Sequence, residues 1–111
     1  MYALIGGTGF TDPTIFEVDE EVEMDTPYGA PSAPLQFGRL RGVECVLLRR
    51  HGANHQFAPH RVPYRANLWV LHTAKVEGVI AVATVGGIDS ALGAGAIAVP
   101  DQVIDYTWGR E

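Results

Sequence analysis

Residues 43–52 read VECVLLRRHG and contain the two signals that decide the fold. Residues 43–48 are mostly apolar and predict a buried strand. The alternating stretch 35–40 and the turn Arg41-Gly42 precede them, so we expect the two strands to form a hairpin. The second signal is the basic turn Arg49-Arg50-His51, which follows the strand directly.

Two further apolar runs end in glycine. Residues 2–5 predict a buried strand that stops at Gly6-Gly7-Thr8-Gly9, and residues 79–85 predict a central strand covered on both faces that stops at Gly86-Gly87. Residues 17–25 predict an exposed acidic strand. Shorter strands are expected at 96–99 and 103–104.

A helix is predicted between the basic turn and residues 79–85. Pro63 fits its first turn, and Tyr64, Leu68, Leu71 and Ala74 recur at helical spacing until the chain reaches Gly78. Strands that alternate with a helix and end in glycine turns indicate an α/β fold with a layered architecture.

Polar turns follow three of the predicted strands. They are Gly6-Gly7-Thr8-Gly9, Arg49-Arg50-His51, and the residues Ala83-Thr84 that lead into Gly86-Gly87. Ligands of open α/β sheets bind outside the carboxyl ends of the strands. If the three strands are parallel neighbours, the three turns therefore converge on one crevice.

The glycine turn has two interpretations. Its unshielded N–H groups and the Thr8 hydroxyl can form an anion nest, or the glycines simply permit a tight turn. A dinucleotide fingerprint is excluded because Asp12 stands where the third glycine would be, and no Lys-Ser or Lys-Thr completes a phosphate-binding P-loop.

The basic turn also has two interpretations. A guanidinium fork matches phosphate or carboxylate geometry, and His51 adds a donor or acceptor near neutral pH. The alternative is a solvated strand end whose arginines pair with Glu44 or with the acidic residues 17–23. Because side chains alternate along a strand, Arg49 and Arg50 point to opposite faces, and only one of them is expected at a site.

Composition excludes several other functions. Thirteen acidic against eight basic residues in a chain of 111 give a net charge of -5, which disfavours a nucleic-acid surface. The single cysteine, Cys45, rules out a disulfide framework, and its apolar neighbours predict a buried hydrophobic residue rather than a nucleophile.

No apolar run reaches the roughly twenty residues that span a bilayer, and no signal peptide is recognisable, so a cytoplasmic setting is expected. His51, His55 and His60 lie on a loop without an acidic ligand among them, so no metal site is expected.

Taken together, six motifs resemble the methylthioadenosine/methylthioinosine phosphorylase branch of the purine nucleoside phosphorylase family. In chain order they are IGGTGF at 5–10, TPYGAPSAPLQFG at 26–38, RHGANH at 50–55, HRVPYRANLW at 60–69, VGGI at 85–88 and DQVIDYT at 101–107. The resemblance covers nearly the whole chain, and the adjacent Arg-His pair favours this branch over the classical purine nucleoside phosphorylases.

The resemblance implies an α/β fold with a mixed central sheet, flanking helices and a homotrimeric assembly. It implies a pentosyltransferase that cleaves the N-glycosidic bond of a 5'-methylthio nucleoside with inorganic phosphate as co-substrate. The products are the purine base and methylthioribose 1-phosphate. The expected partners are the small-molecule nucleoside and phosphate, with no cofactor, nucleic acid or membrane.

The resemblance also assigns residues. Thr8, Arg50 and His51 would hold phosphate, and His55 would lie near the ribose. The turn Ala83-Thr84 would supply another phosphate contact, although this sequence has Ala83 where human-type members carry a hydroxyl and some bacterial ones an amide. Thr84 or a backbone N–H is the alternative donor. No residue is expected to act as a covalent nucleophile.

Chains of the family are more than twice as long, and their later half binds the base, the ribose and the methylthio group. Residues 1–111 therefore resemble the N-terminal phosphate-binding portion of a single phosphorylase domain. We expect the fold to be incomplete and the 111-residue chain to be inactive alone. The alternative is a non-catalytic phosphate- or nucleotide-binding module of the same fold.

Overall fold

Five strands and one α-helix organise the described part of the chain. The computed structural model describes residues 1–7 and 12–110. The elements are β1 Tyr2–Gly6, β2 Phe16–Val22, β3 Leu35–Leu40, β4 Val43–Arg49, α1 Tyr64–Thr73 and β5 Val79–Ala81. The strands form one mixed sheet in the order β2-β3-β4-β1-β5, and β1 is parallel to both of its neighbours. The predicted α/β class with a mixed central sheet is confirmed.

The predicted hairpin is β3–β4. The two strands are antiparallel, and Leu40 pairs with Val43 across a two-residue turn. Arg41 and Gly42 both have positive φ angles, 49° and 80°. Two positive φ angles are typical of the type I′ turn, whose twist matches that of the flanking strands.

Strand β2 is exposed, as its acidic sequence predicted, but it covers Phe16–Val22 rather than 17–25. It pairs antiparallel with β3, and the register shifts between Val18 and Glu20. Arg39 of β3 lies within ion-pair distance of Glu17 and Asp19, at 3.3 and 3.5 Å. The acidic edge strand is thus partly neutralised by its neighbour.

Apolar clusters lie on both faces of the central strands. The cluster that includes α1 contains Ala3, Leu35, Val46, Leu48, Val70 and Leu71. The second cluster contains Leu4, Phe16, Cys45 and Leu47. Successive residues of β4 alternate between the clusters, so this strand is buried on both sides and anchors the residues that follow it.

Helix α1 begins at Tyr64, directly after the Pro63 that was predicted in its first turn, and it ends before the predicted boundary near Gly78. It stops at Thr73, and Lys75 then takes a left-handed conformation with φ 57°. The buried residues are Ala66, Asn67, Val70 and Leu71, whereas Leu68, one of the residues that recur at helical spacing, is 57% exposed. The helix packs on the sheet through the face that carries Val70 and Leu71, which belong to one apolar cluster with Ala3 and Leu48. Within residues 1–7 and 12–110, no helix is long and apolar enough to cross a membrane.

The last predicted strands differ most from the structure. β5 covers only Val79–Ala81 and lies at the sheet edge, with Val79 44% and Ile80 53% exposed. The prediction of a central strand over 79–85 covered on both faces is therefore wrong for the described chain, and residues 96–99 and 103–104 form no strand there either. An apolar segment forms a central strand only where strands pair with it on both sides and other elements cover it. In the described structure β5 pairs with β1 on one side only, so the strand is short and exposed.

Gly38 of β3 lies close to the backbone of its neighbour β2. It pairs with Val18 and Cys45, and a Cβ built on it would meet the backbone carbonyl of Glu17 and, at 3.0 Å, the ring of Phe16. We expect Gly38→Ala to lower the free energy of unfolding by about 1–3 kcal/mol, because the backbone of β2 would have to move away. Urea unfolding measures the loss, with Gly86→Ala as the control because a Cβ there meets nothing within 4 Å. Equal stability of the two variants would contradict the predicted clash.

Candidate functional site

The carboxyl ends of three neighbouring strands meet at one edge of the sheet. β4, β1 and β5 are parallel neighbours, with Gly6 paired to Arg49 and Ile5 paired to Ala81. The next residues continue the pairing, since Arg50 N–H donates to the Gly6 carbonyl at 3.1 Å and Val82 N–H donates to the Ile5 carbonyl at 2.8 Å. The condition on which the predicted crevice depended is met: the three strands are parallel and adjacent.

Arg50 reaches across the end of β1. Its Nη1 donates to the backbone carbonyl of Val82 at 3.1 Å. Its Nη2 lies 3.4 Å from the position that a Cβ on Gly7 would occupy, so the guanidinium lies against Gly7 at the end of β1. The Arg50 guanidinium therefore joins the ends of all three strands.

Arg49 turns the other way. Its Nη2 lies 3.7 Å from a carboxylate oxygen of Glu21, on the opposite edge strand β2, and its Nε is buried without a hydrogen-bond partner among the described residues. Sequence alternation left open which arginine faces the crevice. The structure gives Arg49 the ion pair with the acidic strand and directs Arg50 to the carboxyl ends.

The charge of Arg50 is not matched by a carboxylate among the described residues. Within residues 1–7 and 12–110, Arg39 and Arg49 form ion pairs with acidic side chains, whereas the contacts of the Arg50 guanidinium are a carbonyl oxygen and a histidine nitrogen. In a protein of net charge -5 this is a local positive site. An incoming anion would find an arginine fork available for charge-assisted hydrogen bonds.

His51 is held in one tautomer by Phe57. Its Nδ1 lies 2.9 Å from the Phe57 carbonyl oxygen, which can only accept, so Nδ1 carries the proton. The backbone N–H of Phe57 in turn donates to the His51 carbonyl at 3.0 Å. The other ring nitrogen, Nε2, accepts from Arg50 Nε at 3.4 Å. Arg50 and His51 are therefore brought together, with Nε2 directed to the arginine.

The other predicted site residues are less directly placed. His55 is exposed in the turn that follows His51, with φ 53°, and its backbone N–H donates to Gly52 at 3.3 Å. Ala83 and Thr84 are exposed and come directly after Val82, whose carbonyl Arg50 contacts. Thr8 lies outside the described residues.

Alternative chemistries have little support in the described structure. Burial raises the pKa of the Cys45 thiol, so the reactive thiolate is disfavoured, as its interpretation as a core residue requires. Among residues 1–7 and 12–110, no three His, Cys, Asp or Glu side chains are grouped so that they could hold a metal ion.

Sequence reasoning missed Ser32 and Asn67. They are buried polar residues, 2% and 3% exposed, and they connect the proline-rich loop to α1 and to the end of β4. A weak signal was present: Asn67 is a polar residue adjoining the apolar stripe of a predicted helix. No local pattern identified Ser32, which lies within a loop of three prolines.

Comparison with known proteins places the chain in a family. The profile of the phosphorylase superfamily matches residues 1–111. The chain therefore belongs to the phosphorylase superfamily, a family of enzymes, and the resemblance drawn from its motifs is confirmed.

Curated relatives narrow the similarity. The chain is 47% identical over 111 residues to a probable S-methyl-5'-thioinosine phosphorylase of Pseudomonas syringae pv. tomato. It is 50% identical over 108 residues to the S-methyl-5'-thioadenosine phosphorylase of Pyrococcus furiosus. These alignments cover 100% and 97% of the chain but 45% and 41% of the relatives, so the chain spans less than half of their length.

Solved structures show the same similarity to methylthioadenosine phosphorylases. A mutant adenosine/methylthioadenosine phosphorylase from Schistosoma mansoni in complex with methylthioadenosine is 41% identical, with a TM-score of 0.64. A methylthioadenosine phosphorylase from an antarctic soil metagenomic library is 39% identical with the same TM-score. Each match covers 72% of this chain and 28% of the other, which confirms the expectation of an incomplete phosphorylase fold.

Proposed function

We propose that residues 1–111 form the N-terminal phosphate-binding portion of a methylthioadenosine or methylthioinosine phosphorylase domain. The observation that carries the proposal is the Arg50 guanidinium, which lies across the carboxyl ends of three parallel strands without a carboxylate partner among the described residues. Relatives with 47–50% identity are named for phosphorolysis of these two methylthio nucleosides.

The phosphate ligands proposed are Thr8, Arg50, His51 and the turn Ala83-Thr84. Arg50 supplies a charged fork. Because His51 Nδ1–H is engaged by Phe57, only Nε2 is available to an anion. Nε2 accepts from a protonated phosphate oxygen, or donates to an unprotonated one once the ring has taken up a second proton. In either case Arg50 Nε must exchange its contact with His51 for one with phosphate.

In the complete polypeptide these groups would position the nucleophile. The N-glycosidic bond breaks with its electron pair leaving on the base nitrogen, which takes up a proton, while a phosphate oxygen forms the new bond to the anomeric carbon. The transition state has oxocarbenium character, as in glycoside hydrolysis, so a phosphate held next to that carbon stabilises the developing positive charge. Positioning and electrostatics suffice, and no cofactor or covalent intermediate enters the proposal.

Several finer assignments rest on the family resemblance. We propose that His55 lies on the ribose side, and that the complete polypeptide acts in the cytoplasm as a homotrimer. The single buried cysteine fits a reducing compartment. An analytical ultracentrifugation run on the complete polypeptide tests the trimer.

Two assays test the function. The complete polypeptide should release adenine from methylthioadenosine, or hypoxanthine from methylthioinosine, only when phosphate is present. The 111-residue chain should bind phosphate in a calorimetric titration but neither bind nor cleave the nucleosides. Turnover by the short chain alone would refute our expectation that it is inactive. Absence of phosphorolysis by the complete polypeptide, with phosphate binding retained, would instead favour the second candidate, a non-catalytic phosphate- or nucleotide-binding module.

A further inference from the structure

A single carbonyl group closes the turn that presents the two proposed phosphate ligands. The Arg49 carbonyl accepts the backbone N–H of Gly52 at 3.1 Å. The residues between them are Arg50 and His51, so this hydrogen bond defines a four-residue turn with both ligands at its centre. The backbone conformation of the turn therefore sets the positions and directions of the Cα–Cβ bonds of Arg50 and His51.

The same carbonyl is anchored from outside the turn. The Ser32 hydroxyl donates to the Arg49 carbonyl at 2.7 Å. On the other side of the same peptide unit, Arg50 N–H donates to Gly6 at 3.1 Å. The peptide plane that joins Arg49 to Arg50 is therefore held at both polar ends, once by β1 and once by Ser32.

Ser32 is itself oriented by α1. Its backbone N–H donates to Asn67 Oδ1 at 2.8 Å, and the two residues are 2% and 3% exposed. Burial of polar groups costs free energy unless they are hydrogen-bonded, so breaking the hydrogen bond between Ser32 and Asn67 would be unfavourable, and the two residues stay in place. Asn67 in turn sits on the buried stripe of a helix that packs on β1 and β4 through Val70 and Leu71.

We propose that Ser32, oriented by Asn67, is a positioning residue that pre-organises Arg50 and His51 for the anion. This inference rests on the proposed phosphate function. Ser32 makes no hydrogen bond to either side chain in the described structure, and it acts through the Arg49 carbonyl. Binding to a pre-ordered turn avoids the entropy of ordering it when the ligand arrives.

Phosphate titration of the 111-residue chain tests the inference. Wild type, Ser32→Ala and Thr26→Ala are compared by 1H–15N NMR, at a temperature where circular dichroism shows each to be folded. Ser32→Ala should weaken phosphate affinity about tenfold through the loss of one buried hydrogen bond. Thr26→Ala is the matched control, because it removes a hydroxyl that donates to Gly29 within the same loop and does not touch Arg49.

Several outcomes would overturn the inference. Equal phosphate affinity of wild type and Ser32→Ala would do so, as would equal losses in Ser32→Ala and Thr26→Ala. If Ser32→Ala does not fold, amide hydrogen exchange of wild type decides: Gly52 N–H should be protected before phosphate is added, and free exchange would exclude a pre-organised turn. If wild type binds no phosphate, the proposed function fails, while lower protection of Gly52 N–H in Ser32→Ala than in wild type still reports separately on the Ser32 contact, and equal protection would refute it.

Discussion

Arg50→Ala should weaken phosphate binding to the 111-residue chain by about 10- to 150-fold, the equivalent of a lost hydrogen bond to a charged group. Arg50 is expected to show this because its guanidinium spans the ends of β4, β1 and β5 and has no carboxylate partner among the described residues. Calorimetric or NMR titration with inorganic phosphate measures the change. In the complete polypeptide, transition-state stabilisation should fall by roughly 2–4 kcal/mol.

Arg39→Ala is the control for Arg50→Ala. It removes the same charge, but Arg39 pairs with Glu17 and Asp19 at the far side of the sheet. Its phosphate affinity should stay within about twofold of wild type, since exposed charges beyond the Debye length of about 10 Å are largely screened. Similar losses in the two variants would mean that net charge, and not the Arg50 fork, governs binding.

Leu47→Ala should lower the free energy of unfolding by about 2–5 kcal/mol, the range for deleting a buried leucine side chain. Leu47 is 0% exposed and belongs to the cluster with Leu4, Phe16 and Cys45. The loss is large for a small domain, whose total stability is of order 5–15 kcal/mol. Urea unfolding followed by circular dichroism gives the difference as a shift in midpoint at constant slope.

Val43→Ala on the same strand is the matched control for Leu47→Ala. Val43 is 67% exposed at the start of β4, so its substitution should cost less than about 1 kcal/mol. If the two variants lost equal stability, the assignment of Leu47 to the core would be wrong. Phosphate affinity of folded Leu47→Ala should remain near that of wild type, because no side-chain hydrogen bond of Arg50 or His51 involves Leu47 in the described residues.

The local sequence pattern was sufficient to predict elements whose pairing partners are adjacent in the chain. The β3–β4 hairpin was predicted because its two strands and its turn are adjacent in the chain, and Arg41 and Gly42 adopt the positive φ angles that such a turn requires. β5 was predicted too long and too central. An apolar run shows only that a segment is able to be buried, and whether it is depends on neighbours that lie elsewhere in the chain.

The features of the candidate site likewise fall into those that the sequence predicts and those that only the tertiary structure shows. The sequence by itself determined the family, the glycine and basic turns, and the rule that one of Arg49 and Arg50 faces the crevice, because motif spacing and strand alternation are local properties. Strand alternation left open which arginine that is, and the resemblance pointed to Arg50; the tertiary structure supplies the physical reason, since Glu21 of the far strand engages Arg49. It also brought Ser32 to Arg49 and to Asn67, across 17 and 35 residues of chain. Hydrogen bonds between residues so far apart leave no periodicity in the sequence, because they exist only once the sheet and helix have packed.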